Sequence, residues 1–301
     1  MGGERQLPRS MWASMVGMIG CNLRCLLLLS LLSLFGCGLQ NTLFPTATPL
    51  DVSGNWQFSS TNTIPTTANN VVLLGALVSN GANVTGTLRF TDIAFGNACG
   101  AIAQVLPFTG SIDATLPADQ VLTLKSSVAG SSIVVQVNLS ARLQGVAGGT
   151  VSITGLSCSF ASSPIVAIQY PAVTGTFVGP LSPITSLPNN TAPAGSASLA
   201  VTQAATPNSD GSFPLTGSIT FFGATCKATI ALSGTSLGPA VTLASSANAA
   251  PNFVTFDGSN TPLSAQITTP QLQSGAIVYY PPPCSPAVTT TATYSGTLTK
   301  Q

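Results

Sequence analysis

One five-residue pattern recurs along the chain: an apolar residue, Ser or Thr, Gly, a small polar residue, and a second apolar residue. It stands as VSGNW at 52, VTGTL at 84, FTGSI at 108, VTGTF at 173, LTGSI at 215 and YSGTL at 294. Side chains alternate across a strand, so the first, third and fifth positions share a face. Each copy then turns apolar, Gly, apolar toward a core and two hydroxyl or amide groups toward water. Glycine weakens a flat strand, and its repeated use predicts strands that coil sharply or let a neighbour approach closely. Small barrels and strongly coiled sandwiches have that requirement.

The remaining sequence agrees with this reading. β-Branched residues dominate, Gly, Asn, Ser and Pro punctuate short segments such as VVLLGALV at 71–78 and QVLTLKSSV at 120–128, and no segment sustains a helical period. Asp210-Gly211 and Asp257-Gly258 read as hairpin turns. The expected fold is all-β, with two tandem antiparallel β units, either small coiled barrels or sandwiches.

The two units are read from a duplication of layout. VSGNWQF (52–58) corresponds to VTGTFVG (173–179), VVLLGALVS to SASLAVTQA, and NVTGTLRF to PLTGSITFF; Trp56, Cys99 and Cys158 fall in the same order as Phe177, Cys226 and Cys284. A boundary near residue 172 gives a first β domain at 51–172 and a second, its repeat, at 173–301. The linker-like residues 180–193 are the competing boundary.

Ahead of the units, Cys25 to Gly36 forms a 12-residue apolar run behind Arg24. It has the size of a signal-peptide h-region and falls well short of the roughly 20 residues a spanning helix needs. The run ends in Leu34-Phe35-Gly36-Cys37, which resembles the lipobox of bacterial lipoproteins: Leu34, Gly36 and Cys37 match, and Phe35 stands where that family usually has a small residue. The resemblance covers only this N-terminal segment. It implies a signal peptide at 1–36, cleavage before Cys37, a diacylglycerol thioether on Cys37, and a lipidated tether at 37–50; Gly38 would favour sorting to an outer membrane. Plain secretion and an uncleaved anchor are the alternatives, and an n-region of conventional length would begin at Met15 or Met18 rather than Met1.

With Cys37 assigned to lipid and Cys21 and Cys25 to the signal, four cysteines remain, which allow three pairings. The duplication selects Cys99 with Cys158 and Cys226 with Cys284, one structural bridge per unit, each contributing about 4 kcal/mol in the chain-entropy model. An exported location permits them. A metal or redox site fails on ligands, since the chain has no histidine and no C-x-x-C.

Only 5% of residues are charged, against roughly 25% in an average soluble protein. After Cys37 there are six Asp, no Glu, three Lys and two Arg, a formal charge of −1 with no basic footprint for nucleic acid. Without histidine there is no Ser-His-Asp triad or Cys-His dyad. A carboxylate mechanism would rest on aspartates alone, with Asp113 and Asp119 the nearest in sequence. No catalytic residue, metal or cofactor is therefore expected.

What remains is binding or structure. VSGNW also resembles the G-x-W opening of lipocalin-like barrels, which would imply a carrier of small apolar ligands, with Phe177 replacing the Trp in the second unit. Trp56, Tyr279 and Tyr280 are the candidate contacts for a ligand or partner, the tyrosines because YYPPPC at 279–284 makes a stiff segment that could stack on a sugar or anchor a protein. The expected function is a non-catalytic, lipid-anchored cell-envelope module. Its partners would be the membrane through the lipid, and a glycan, an apolar small molecule or an envelope protein. An outer-membrane pore and an aspartate-based envelope enzyme are the minor alternatives.

Overall fold

The computed structural model describes residues 47–60, 71–92, 104–115, 118–128, 131–140, 145–155, 160–184, 194–222, 227–245, 253–261, 270–280 and 292–301. All but residue 47 belong to one compact unit, Thr48–Gln301. Its regular structure is β throughout. The strands are β1 (Gly54–Ser60), β2 (Val71–Asn80), β3 (Asn83–Asp92), β4 (Gln104–Asp113), β5 (Val121–Val128), β6 (Ser131–Asn138), β7 (Val146–Thr154) and β8 (Phe160–Tyr170), followed by β9 (Gly175–Pro183), β10 (Gly195–Gln203), β11 (Phe213–Phe222), β12 (Lys227–Leu237), β13 (Ala240–Ala244), β14 (Phe253–Thr261), β15 (Gln271–Tyr280) and β16 (Ala292–Lys300).

Neighbours in sequence pair antiparallel, and each set of eight closes on itself. In the first barrel β8 returns to β1, with Trp56 opposite Gln169; in the second β16 returns to β9, with Phe177 opposite Lys300. The expectation of two tandem antiparallel β units is thus met by two closed eight-stranded barrels. Closure removes the open edges that a sandwich would have to protect.

The five-residue pattern does what its spacing requires. Val52 and Trp56, Val84 and Leu88, Phe108 and Ile112, Val173 and Phe177, and Leu215 and Ile219 are all buried. In the first barrel they join Phe58, Leu73, Leu77, Phe90, Leu124 and Val135 in one apolar cluster. Leu199, Leu243, Phe256, Ile277 and Leu298 complete the corresponding cluster of the second. The glycines between them let strands close up: a Cβ on Gly110 would fall 2.0 Å from the Thr123 carbonyl oxygen, and one on Gly234 1.9 Å from that of Thr242.

The duplication extends to register and hydrogen bonds. Trp56, Gly75 and Leu88 stand in line across three strands as Phe177, Leu199 and Ile219 do. Val52 N–H donates to Ser79 Oγ and Ser79 N–H to Ser53 Oγ, while Val173 N–H donates to Gln203 Oε1 and Gln203 N–H to Thr174 Oγ1. Val52 and Val173 each tuck under the start of their barrel, defining a lower rim. The connections that follow odd-numbered strands leave from the opposite, upper rim.

One turn expectation is corrected. Asp210-Gly211 does lie in a turn, between β10 and β11, but Asp257-Gly258 sits inside β14, where the register against β15 shifts. Glycine within a strand marks such a bulge, and the Asp-Gly pair alone does not separate the two cases.

Candidate functional site

Trp56, a candidate contact, lies at 0% exposure inside the first barrel. Its Nε1–H donates to the Val52 carbonyl at 2.7 Å, and its ring stacks on Phe58 with centroids 5.6 Å apart. Any molecule touching Trp56 would have to enter the barrel. Tyr279 and Tyr280 end β15, opposite Val254 and Phe253; their side chains, like Cys37, Cys99, Cys158, Cys226 and Cys284, lie outside the described residues. The strands flanking Cys99 and Cys158 in sequence, β3–β4 and β7–β8, stand on opposite sides of the first ring, as β11–β12 and β15–β16, which flank Cys226 and Cys284, do in the second.

The aspartates with described bonds all accept from neighbouring hydroxyls or backbone amides. Asp51 accepts from Ser53 N–H and Ser79 Oγ, Asp113 from the backbone and hydroxyl of Thr115, Asp210 from those of Ser212, and Asp257 from Thr242 Oγ1. This is the chemistry of Asx turns and strand-face ladders. The Thr115 hydrogen bonds hold the Asp113 carboxyl below its ordinary range. Asp113 and Asp119 are both exposed. Among the described residues no three His, Cys, Asp or Glu side chains gather around a point where a metal could sit.

Two polar constellations had no signal in the residue pattern. At the lower rim of the first barrel Gln120 is 4% exposed, and its amide accepts from Leu50 N–H at 2.9 Å and donates to the Thr48 carbonyl at 3.1 Å. Its backbone carbonyl accepts from Leu139 N–H, and its backbone N–H donates to Ser140 Oγ. Residues 48–50 are therefore pinned to the barrel before β1 begins.

The second constellation joins the barrels. Asn55, on the outer face of β1, is only 1% exposed. Its Nδ2 donates to the Gly238 carbonyl at 2.8 Å and its Oδ1 accepts from Gly238 N–H at 2.7 Å. Gly238 occupies the β12–β13 turn at φ +56°, and a Cβ there would fall 2.6 Å from Leu74 Cδ2. Beside it, Arg89 Nη2 of β3 lies 2.8 Å from Asp210 Oδ2. A Cβ on the adjoining Gly211 would fall 2.3 Å from the Thr87 carbonyl oxygen. Asn260 Nδ2 donates to the carbonyl of Pro171, in the short link between β8 and β9.

The Asn55 amide thus completes the turn's backbone valences as a neighbouring strand would, leaving no exposed donor at a fully buried position. Compared with known proteins, the chain matches no family model and no curated sequence.

Proposed function

We propose that the protein is a non-catalytic cell-envelope module, anchored by lipid on Cys37 and presenting two β-barrels for binding or for a structural surface role. The observation that carries this reading is the polarity of the barrels. Aromatic and aliphatic side chains fill the inside, whereas the outer faces of neighbouring strands carry rows such as Ser111, Thr123, Gln136 and Thr150. A pore has the reverse arrangement, with an apolar band facing lipid and a polar lumen.

Eight strands enclose a space that side chains can fill or that can hold one small ligand. Trp56, Phe58, Phe90 and Phe108, all buried in one cluster, support the filled case over the carrier. The hydroxyl- and amide-rich walls favour a glycan or an envelope protein as partner. The engagement of Asp51, Asp113, Asp210 and Asp257 in turns and ladders supports a role without catalysis.

Intact mass of the chain extracted from the envelope tests the reading. The expected mass is that of residues 37–301 with a diacylglycerol added; a chain carrying no acyl mass would overturn the anchor.

A further inference from the structure

We infer that the duplicated halves have become complementary to one another, the outer wall of β1–β3 serving as a receptor for two turns of the second barrel, so that the tandem pair is one rigid body closed within a single chain. The inference is independent of lipid anchoring. It rests on comparing each wall residue with its counterpart in the other barrel.

The register gives those counterparts. Asn55, Leu74, Gly75 and Arg89 of the first wall correspond to Thr176, Ser198, Leu199 and Thr220 of the second. Every side chain that grips a turn in the first barrel is replaced. Threonine cannot supply the paired acceptor and donor with which Asn55 holds Gly238, Ser198 lacks the apolar bulk of Leu74, and Thr220 cannot pair with a carboxylate as Arg89 does.

The strands carrying these residues differ in the same sense. VVLLGALV in β2 is apolar on both faces, as a strand covered on both sides should be, and Ala76 on its outer face is 1% exposed. Its counterpart GSASLAVTQ in β10 alternates, and Ala200 at the position of Ala76 is exposed.

The turns are equally one-sided. Two residues, Gly81 and Ala82, connect β2 to β3, whereas the connection between β10 and β11 spans residues 204–212 and projects Asp210 and Gly211. A wall on one barrel and turns on the other could in principle link copies head to tail. Here the wall is occupied by the same chain's own turns, and the second barrel's wall lacks the residues that would receive another copy.

Hydrogen–deuterium exchange on the detergent-solubilised full chain tests this, comparing it with the triple variant Asn55→Thr, Leu74→Ser, Arg89→Thr, which gives the first wall the second barrel's residues. All three face outward, so the barrel cores are untouched. The expected result is exchange at least about tenfold faster at residues 208–212 and at Gly238, with protection in β5–β8 and β14–β16 unchanged. Equal exchange of the turns in both proteins would overturn the inference. So would a general loss of protection in the first barrel, which would assign these residues to that barrel's own stability. A concentration-dependent ladder of oligomers of the native chain in sedimentation would overturn closure within one chain.

Discussion

Arg89 and Asp210, 121 residues apart in sequence, meet at 2.8 Å across the two barrels. Both side chains are about a third exposed, so the pair itself contributes at most about 1 kcal/mol. Its value lies in fixing the turn. The Asp210 carboxyl is held below its ordinary range first by the Ser212 hydroxyl, with Ser212 N–H and the Arg89 guanidinium adding to the effect. A depressed carboxylate pKa stabilises the folded form above the unfolded value, near 4, and that stabilisation is lost as pH falls through the folded value. The β10–β11 turn should therefore lose stability below about pH 4. Asp210→Asn should remove that dependence, whereas Arg89→Thr should leave most of it because Ser212 remains; exchange rates at residues 208–212 measured from pH 3 to 7 decide.

The core glycines should be far less replaceable than exposed ones. Gly110→Ala forces a Cβ to 2.0 Å from the Thr123 carbonyl oxygen, backbone that cannot step aside, while around Gly148 nothing lies within 4 Å. Gly110→Ala is expected to cost about 2–3 kcal/mol through strain in the strand pair. Gly148→Ala should be neutral or slightly stabilising, because it restricts the unfolded chain. Urea midpoints of the two variants give the comparison directly.

Trp56 should behave as a core residue. Trp56→Ala is expected to cost about 3–5 kcal/mol, and Trp56→Phe, which installs the residue that Phe177 supplies in the second barrel, considerably less. The Phe variant still loses the 2.7 Å hydrogen bond to Val52, leaving a buried carbonyl without that donor. Chemical denaturation followed by far-UV circular dichroism checks both.

The cysteine pairing has a direct chemical test. In each ring of eight, the gap between the third and fourth strands and that between the seventh and eighth are four strands apart on the same rim. Cys99 and Cys158 belong to such a pair of connections in the first barrel, Cys226 and Cys284 in the second. Peptide mapping without reduction should return these two bridges, and a Cys158–Cys226 peptide would exclude them.

Much of this architecture was legible before any coordinates. VTGTL at 84 and LTGSI at 215 predicted both the buried face and the close approach at its glycine, because period-two alternation and the absence of a Cβ are local properties. The correspondence of Trp56 with Phe177 followed from the same pattern. Closure into barrels was not legible, since pairing of β1 with β8 depends on curvature summed over eight strands. Asp257-Gly258 was misread as a turn because a bulge and a hairpin use the same residues. The junction was visible only as an unbroken apolar run in VVLLGALV; Asn55 and Gly238, 183 residues apart, gave no sign that they would meet. Gln120 was equally silent, for a lone amide in a polar turn looks like any other.

Tyr170 offers the last test, and one that needs no substitution to begin. It ends β8 at 7% exposure, with its hydroxyl donating to Gln57 Oε1 at 2.9 Å. Burial disfavours the phenolate and pushes its pKa up to about 12, and the same cause raises Tyr294. A raised pKa means that the neutral form's contribution to stability is complete below the unfolded value near 10 and is lost as pH rises toward 12. Absorbance of tyrosinate should therefore lag the model titration between pH 10 and 12, and Tyr170→Phe should remove part of that lag while making stability less sensitive to alkali. If Tyr170 ionised near pH 10 in the folded chain, the closing of β8 against β1, on which the first barrel depends, would be in error.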